Sequence, residues 1–305
     1  MKRMETYTSS MFVHVRFYIY EPKVIIRIKG VVQIHHGLAE HADRYDHFAS
    51  YLSHQGFVVI VSDFVGHGKS LIDFEQGYFG EHDGPDHLIK DMHHLQHVIR
   101  QRYPDVPYFM LGSDLGAVLI AKYVIQYPDY VDGIVLLGML THVDYNYIKA
   151  KYLSIMKRLK GPTYKAHRYF QAFHLHNNKK LLHPGKDLEW WSSSEEERKK
   201  YKNDPMTHFS YTVQGYKDIL EMIENVNDYE CIMKMAPYLA VYIGVGEFDP
   251  MGKHIQTLVD KYKKANIEDV SLHRFKERRH ALLFEKDKKE IYLDILNWLN
   301  ERTYL

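Results

Sequence analysis

The chain has 305 residues, which is long enough for one α/β domain that carries an insertion. Its 40 lysine and arginine residues balance 39 acidic residues, and this near-neutral charge argues against nucleic acid as a partner. The single Cys231 excludes an internal disulfide, and no apolar run approaches the ~20 residues that a membrane span requires, so we expect a cytoplasmic protein.

Short β-branched runs alternate with longer amphipathic segments, which is the pattern of parallel βαβ units. Most of the short runs are continuously apolar, as expected for strands buried on both faces. The predicted strands cover residues 12–20 or 24–28, then 31–35, 57–61, 108–111, 133–137, 238–244 and 270–275. Helical spacing joins Leu88, Met92 and Leu95, and in the last helix Ile291, Ile295 and Trp298. The sequence thus predicts a mostly parallel central sheet flanked by helices.

Residues 141–213 interrupt this alternation, since they are rich in Tyr, Lys and His and contain no convincing strand. A structureless loop of this length is improbable in a compact domain, so we predict a mostly helical cap between two core strands. The α/β core then comprises residues 1–140 and 214–305. Residues 146–160 mix apolar and basic side chains, which would suit weak contact with an anionic membrane surface. An ordinary cap helix whose lysines face water is the favoured interpretation.

Residues 112–116 read Gly-Ser-Asp-Leu-Gly between an apolar run and a helical pattern. This arrangement indicates a nucleophile elbow, in which a strand turns sharply into a helix and lifts one side chain above the sheet. The lifted side chain is Asp114. Gly112 and Gly116 are expected where the two backbones pack closely. Ser113, one position away, should point elsewhere.

Two further candidate residues follow predicted strands in the order that an α/β-hydrolase requires. Asp249 comes after the strand at 238–244, and His280 comes after the strand at 270–275. An acid at a strand end is placed to orient an imidazole. We predict Asp114 at the nucleophile position, His280 as the base and Asp249 as the orienting acid.

An oxyanion hole is predicted from backbone N–H groups. His36-Gly37 ends the strand at 31–35 and exposes the N–H of Leu38, which can pair with that of Leu115 after the elbow. No metal or organic cofactor is expected. The histidines around His93 are interpreted as a solvated helix face, because a metal site needs convergent ligands.

Several motifs combine in one chain order. They are His36-Gly37-Leu38-Ala39-Glu40-His41 with Arg44-Tyr45, residues 63–70, Asn203-Asp204-Pro205, residues 246–250, and Arg279-His280 with Glu285. This set resembles the lysophospholipase and monoacylglycerol lipase family of α/β-hydrolases. The resemblance implies an ester-hydrolysing site for a single acyl chain with a small polar head, with the triad and oxyanion donors given above. The family pattern at the elbow is Gly-His-Ser-Met-Gly, so Asp114 stands in the place of the nucleophilic serine.

A carboxylate at the elbow changes the chemistry. Attack on an ester carbon reverses, because a carboxylate leaves far more readily than an alkoxide, their acids differing by roughly ten pK units. Attack at a saturated carbon instead gives a stable alkyl ester, which water activated by His280 can hydrolyse. This elbow also resembles those of haloalkane dehalogenases and epoxide hydrolases, which carry Trp where this chain has Leu115. Epoxide opening would use tyrosine donors, and the cap offers Tyr145, Tyr147, Tyr152, Tyr164 and Tyr169.

Two more roles for Asp114 stay open. It can act as a general base on water, with the ester cleaved slowly in the oxyanion hole. It can also be part of a site without catalysis, because an imidazole between two carboxylates is favoured in its charged form. Asp114, His280 and Asp249 then form an ion triplet in a pocket that only binds a ligand. The sequence predicts a hydrolase scaffold and leaves the covalent step doubtful.

Overall fold

The structure is a computed structural model that describes residues 1–23, 27–72, 75–141, 147–181 and 188–303, with the side chains of 147–150 excluded. Within these ranges, one eight-stranded sheet is combined with ten α-helices. No helix in the described ranges is long and apolar enough to cross a membrane.

The sheet has the strand order β1-β2-β4-β3-β5-β6-β7-β8. Its strands are β1 (Lys2–Thr8), β2 (His14–Tyr20), β3 (Gly30–His35), β4 (Phe57–Ser62), β5 (Tyr108–Ser113), β6 (Gly133–Leu137), β7 (Ala240–Gly246) and β8 (Val270–Phe275). The first two strands pair antiparallel, and β3 to β8 are parallel to one another. Every residue of β3, β4, β6 and β7 is buried, as their continuous apolar runs predicted. The predicted fold is confirmed.

The helices follow the strands in chain order. They are α1 (Asp46–His54), α2 (Gly84–Arg102), α3 (Leu115–Gln126), α4 (Tyr147–Lys160), α5 (His167–Lys179), α6 (Glu195–Asn203), α7 (Val213–Asn227), α8 (Tyr229–Ile232), α9 (Ile255–Lys264) and α10 (Lys288–Asn300). The last helix buries Ile291, Ile295 and Trp298, which confirms the spacing argument. Helices α4 to α8 lie between β6 and β7. The region predicted as a cap is mostly helical among the residues that the structure describes, and its boundaries stay a prediction.

Three strand predictions differ from the structure at the chain start and near β7. The edge strand β1 was not predicted, because it pairs only with β2 and its side chains are alternately exposed and half-buried. Strand β2 begins at His14 because Phe12 lies in the preceding turn with φ 60°. Strand β7 begins two residues late, because Tyr238 is exposed and its hydroxyl bonds to Asp129. Residues 24–26 of the alternative first strand lie outside the described ranges.

Candidate active site

The elbow has the backbone geometry that its sequence predicts. Asp114 joins β5 to α3 with φ 54° and ψ −114°, a left-handed conformation that is rare for a residue with a side chain. A Cβ on Gly116 would lie 2.3 Å from the His35 carbonyl oxygen, and a Cβ on Gly112 would lie 2.4 Å from the Gly116 backbone. Both positions therefore require glycine, and the tight packing holds Asp114 above the sheet.

The structure brings Asp114, Asp249 and His280 together. Both carboxylate oxygens of Asp249 lie 3.1 Å from His280 Nδ1, which donates to them. On the other side of the ring, His280 Nε2 lies 3.5 Å from Asp114 Oδ2. The three residues are only 8% (Asp114), 7% (Asp249) and 2% (His280) exposed, so water screens their charges weakly. A carboxylate thus faces an imidazole that is backed by a second carboxylate.

The position of His280 between two carboxylates fixes its charge. Burial alone lowers the pKa of His280, but the charges and hydrogen bonds of Asp249 and Asp114 outweigh it and raise the pKa to about 10. The ring is therefore an imidazolium at neutral pH, and its Nε2 carries a proton. In this state His280 can donate a proton but cannot remove one from water.

The predicted oxyanion donor Leu38 also reaches the elbow residue. Its N–H donates to Asp114 Oδ2 over 3.2 Å. The second predicted donor, Leu115, is the first residue of α3, and no hydrogen bond from its N–H occurs within the described part of the chain. His280 Nε2 pairs with Asp114 Oδ2, whereas Asp114 Oδ1 is buried without a hydrogen-bond partner among the described residues. One carboxylate oxygen of Asp114 thus faces the imidazolium, and the other is a free proton acceptor.

A second buried carboxylate supports the loop that carries Leu38. Glu40 Oε2 accepts bonds from the Tyr45 hydroxyl at 2.9 Å and from the Gly37 N–H at 3.3 Å. The guanidinium of Arg44 lies 3.4 Å from the other oxygen of Glu40. Burial raises the pKa of Glu40, and Arg44 opposes this shift. The Ser113 side chain bonds to the Tyr45 hydroxyl.

The turn after β4 braces the same loop without touching the elbow. Asp63 Oδ1 accepts the N–H of Ala42 at 2.8 Å, and His36 Nε2 accepts the N–H of Phe64 at 3.1 Å. Because an N–H can only donate, His36 carries its proton on Nδ1, which donates to the Gly37 carbonyl at 2.9 Å. These contacts hold the loop of Leu38 against the turn after β4.

Three residues at the site were not predicted. The ring of Trp190 lies 5.1 Å from that of His280, between centroids. The Tyr201 hydroxyl donates to the Leu38 carbonyl, and the Tyr211 hydroxyl accepts the Ala39 N–H. All three come from the insertion between β6 and β7. In a chain with 25 tyrosines, no sequence signal separates these two from the others.

Three of the five tyrosines considered for epoxide opening have side chains that the structure describes. Tyr152 and Tyr164 are exposed, and Tyr169 packs on Tyr216. Tyr145 and the side chain of Tyr147 lie outside the described residues. In the part of the chain that the structure describes, no hydroxyl of these tyrosines bonds to Asp114.

The interpretation of His93 as part of a solvated helix face was wrong. Its ring stacks on that of Tyr127 at 4.0 Å between centroids, and its Nδ1 lies 3.0 Å from the Tyr123 hydroxyl. The aromatic side chains after α3 cover this face of α2. The spacing of the histidines within α2 could not reveal this contact, because the covering residues lie elsewhere in the chain. His94 and His97 are exposed, as expected.

A parallel sheet with a strained elbow after β5, an acid after β7 and a histidine after β8 defines the α/β-hydrolase class. The family model of Hydrolase_4, described as "Serine aminopeptidase, S33", matches residues 26–287. The chain belongs to this family. Its similarity to monoglyceride lipases confirms the predicted monoacylglycerol lipase-like type.

Similar proteins include monoglyceride lipases from distant organisms. The mouse enzyme is 33% identical over 120 residues, which cover 37% of this chain and 35% of the mouse protein. A Monkeypox virus monoglyceride lipase homolog is 34% identical over 129 residues, 40% of this chain and 42% of the homolog. These two matches thus span less than half of either relative. The monoacylglycerol lipase of Mycolicibacterium smegmatis is 25% identical over 284 residues, 89% of this chain and 88% of that enzyme.

Solved structures share the whole fold. A carboxyl esterase from Bacillus coagulans has a TM-score of 0.87 at 23% identity, and the alignment covers 98% of each chain. A monoglyceride lipase variant from Saccharomyces cerevisiae has a TM-score of 0.77 at 18% identity, covering 99% of this chain and 96% of the other. At these identities, the likeness establishes the fold alone.

Proposed function

We propose that this chain hydrolyses single-chain carboxylic esters of the monoacylglycerol type by direct attack of water. Asp114 serves as the general base and His280 as the general acid. The observation that carries the proposal is the buried ion pair of Asp114 with the protonated His280, in which Asp114 Oδ1 is left as a free acceptor among the described residues. The names of the relatives, monoglyceride lipases and a monoacylglycerol lipase, support the substrate class.

The proposed roles follow from the charges of the two side chains. A carboxylate that attacked the ester carbon would be expelled again before the alkoxide. An imidazolium whose pKa is about 10 is already protonated at neutral pH and cannot accept a proton from the attacking water. Asp114 is the remaining base at the site, and His280 is already in the acid form that a leaving alkoxide needs.

The proposed reaction has two proton transfers. The water oxygen bonds to the acyl carbon while one water proton moves to Asp114 Oδ1. The tetrahedral species then breaks its bond to the alkoxy oxygen, which takes the proton from His280 Nε2. The products are a carboxylic acid and an alcohol. The proton on Asp114 then passes to His280, which restores the starting state.

The oxyanion that forms in this reaction is assigned to the N–H groups of Leu38 and Leu115. Protonation of Asp114 weakens its bond to the Leu38 N–H, because the carboxyl loses its charge as the substrate oxygen gains one. One such donor contributes about 10²–10³ to kcat in other acyl-transfer enzymes.

A lipid surface is a suitable source of this substrate. On α4, Ile155 is 47% and Leu159 is 70% exposed, and basic side chains lie beside them at Lys157, Arg158 and Lys160. Exposed apolar side chains with basic neighbours favour weak contact with an anionic membrane. We therefore include a membrane contact through α4 in the proposal.

A second candidate function is favoured by the bond between Leu38 and Asp114. The carboxylate of Asp114 already accepts the Leu38 N–H and pairs with the imidazolium, so the groups that would act on an ester are bonded to one another. With this second function the chain binds an ester lipid without hydrolysing it.

Four forms of the chain separate these functions: the wild type, Asp114→Asn, Asp114→Ser and His280→Gln, each tested on monoacyl esters of graded chain length. We expect slow hydrolysis by the wild type, and a loss of about 100-fold or more in Asp114→Asn, which keeps the shape but removes the base. His280→Gln should lose activity similarly. Asp114→Ser should be faster than the wild type, because serine opens the covalent route.

Two controls complete this experiment. Mass spectrometry of the quenched reaction should find an acyl-enzyme in Asp114→Ser and none in the wild type. The rate of the wild type should fall as the pH rises through about 10, because the acid form of His280 is then lost. An inert wild type beside an active Asp114→Ser would overturn the proposed hydrolysis and leave the binding function.

A further inference from the structure

The Leu38–Ala39 peptide unit is held almost entirely by the insertion between β6 and β7. We call residues 36–41 the oxyanion loop. Ala39 has φ 51°, a left-handed conformation that costs energy for a residue with a Cβ. Three bonds from one short stretch of the insertion fix the backbone there. They are Tyr201 hydroxyl to Leu38 carbonyl at 3.1 Å, Ala39 N–H to Tyr211 hydroxyl at 2.9 Å, and His208 N–H to Ala39 carbonyl at 3.1 Å.

The bond at Tyr211 continues into the core. The Ala39 N–H uses the Tyr211 oxygen as acceptor, so the Tyr211 O–H is free to donate, and His67 Nε2 lies 2.5 Å away. Nε2 must then accept, and His67 carries its proton on Nδ1, which faces the Val65 carbonyl at 3.4 Å. Burial lowers the pKa of His67 to about 3, so the ring stays neutral and this direction of donation is kept. A one-way chain of hydrogen bonds runs from the oxyanion loop to the turn after β4.

We infer that Tyr211 and Tyr201 are positioning residues that aim the Leu38 N–H at the elbow. Both side chains are buried, and neither hydroxyl bonds to Asp114 or His280 within the described residues, so they act through the backbone. The role of the Leu38 N–H in stabilising an oxyanion rests on the proposed function. The orientation of the Leu38 N–H toward Asp114 does not depend on that function. It can be measured in a protein that has no activity.

The first test is kinetic and uses the Asp114→Ser form, with a monoacyl ester as the probe. Adding Tyr211→Phe removes the hydroxyl that accepts from Ala39. We expect kcat to fall about tenfold, which is less than the loss caused by removing one oxyanion donor altogether. KM should change by no more than about twofold. Tyr216→Phe is the matched control, because the ring of Tyr216 packs against that of Tyr211 but makes no hydrogen bond to the oxyanion loop in the described structure.

The second test reads the Leu38 N–H directly in the wild type. Gly37-Leu38 is the only Gly-Leu pair in the sequence, so ¹³C-carbonyl glycine with ¹⁵N-leucine gives one amide signal for this bond. A hydrogen bond to a carboxylate shifts an amide proton downfield. Tyr211→Phe should move this signal upfield, and Tyr216→Phe should leave it in place. If Tyr211→Phe does not fold, Tyr201→Phe, which loses the bond to the Leu38 carbonyl, replaces it in both tests.

The outcomes separate this inference from the proposed function. If kcat or the Leu38 signal responds to Tyr211→Phe no more than to Tyr216→Phe, or if KM carries the whole kinetic effect, the inference is wrong. If Asp114→Ser has no activity, the proposed function loses its support and the Leu38 signal alone decides the positioning role. A cycle with His67→Gln adds a check, because two members of one hydrogen-bond chain should give non-additive losses.

Discussion

At the scale of single residues, Asp249 and the elbow residue Asp114 together raise the pKa of His280. A serine in place of Asp114 would leave His280 with Asp249 as its only acidic partner. With Asp114 present, two carboxylates flank the ring, and their combined effect exceeds the cost of burying its charge. The two carboxylates therefore keep the proton on His280 at neutral pH, which is the state that its proposed role as an acid requires.

This charge predicts how stability depends on pH. The folded pKa of His280 is about 10 and lies above the unfolded value of about 6.5, so its stabilisation is complete below pH 6.5 and is lost as the pH rises through 10. Between these values, the free energy of unfolding should fall by up to about 1.4 kcal/mol per pH unit. Asp114→Asn removes one of the two flanking charges and so lowers the pKa of His280. In this variant, the decrease in the free energy of unfolding should therefore end at a lower pH than in the wild type. Urea denaturation of both forms from about pH 6 to about pH 10.5 measures the difference.

Comparing the wild type with Asp114→Asn controls for the other groups that titrate in this pH range. Other titrating groups, including the buried tyrosines, contribute equally to both, so only the difference between the two curves reports on His280. Parallel curves across the whole range would mean that Asp114 does not hold the proton on the ring.

At the scale of elements, the backbone of α3 packs closely against the sheet where it follows β5. Nearly every side chain of α3 is buried, because α2 and α7 cover the helix on its outer side. The helix can approach the sheet only where glycine replaces a side chain, since Gly116 contacts the backbone of His35 and His36. The close approach in turn holds Asp114 in its left-handed conformation.

Adding one methyl group to the elbow should therefore be costly. Gly116→Ala places a Cβ against backbone atoms that cannot rotate away, and we expect a loss of about 3 kcal/mol or failure to fold. Gly161→Ala is the control, because φ is +89° there and, its chain neighbours apart, no atom of the described residues lies within 4 Å of the new Cβ. It should cost only the backbone penalty of about 1–2 kcal/mol. Equal losses in thermal or urea denaturation would contradict the packing argument.

At the scale of the whole molecule, Arg44 joins the oxyanion loop region to the insertion. Its guanidinium lies over the rings of Phe284, Trp191 and Tyr201, at 4.4, 5.3 and 5.1 Å from their centroids. Trp191 and Tyr201 belong to the insertion, and Phe284 follows β8. The charge of Arg44 is balanced by the buried Glu40. One buried ion pair thus lies where the two parts of the fold meet.

Removing one partner of this pair should cost more than removing both. Arg44→Met leaves Glu40 buried without a cation, and we expect a loss of about 3–5 kcal/mol in the free energy of unfolding. The double variant Glu40→Gln with Arg44→Met keeps an acceptor for Tyr45 and buries no charge, so it should be more stable than Arg44→Met. Urea denaturation of the singles and the double gives the coupling energy, and additive losses would contradict a buried pair.

Much of the fold could be predicted because its signals are local. The strands β3 to β8 are apolar runs bounded by turn residues, and the elbow is marked by two glycines around Asp114. The edge strand β1 had no such signal, since only one neighbour and one half-buried face hold it. The positions of Asp249 and His280 followed from chain order, because the carboxyl ends of parallel strands meet at one edge of the sheet.

The sequence by itself determined the parallel sheet, the glycines of the elbow and the meeting of Asp114, Asp249 and His280, since these depend on short patterns and on strand order. Only the tertiary structure decided the protonation of His280, the bond from Leu38 to Asp114 and the hold of Tyr201 and Tyr211 on the oxyanion loop. These properties depend on distances of a few ångströms and on exclusion of water between residues far apart in the chain. No spacing in the sequence records such distances.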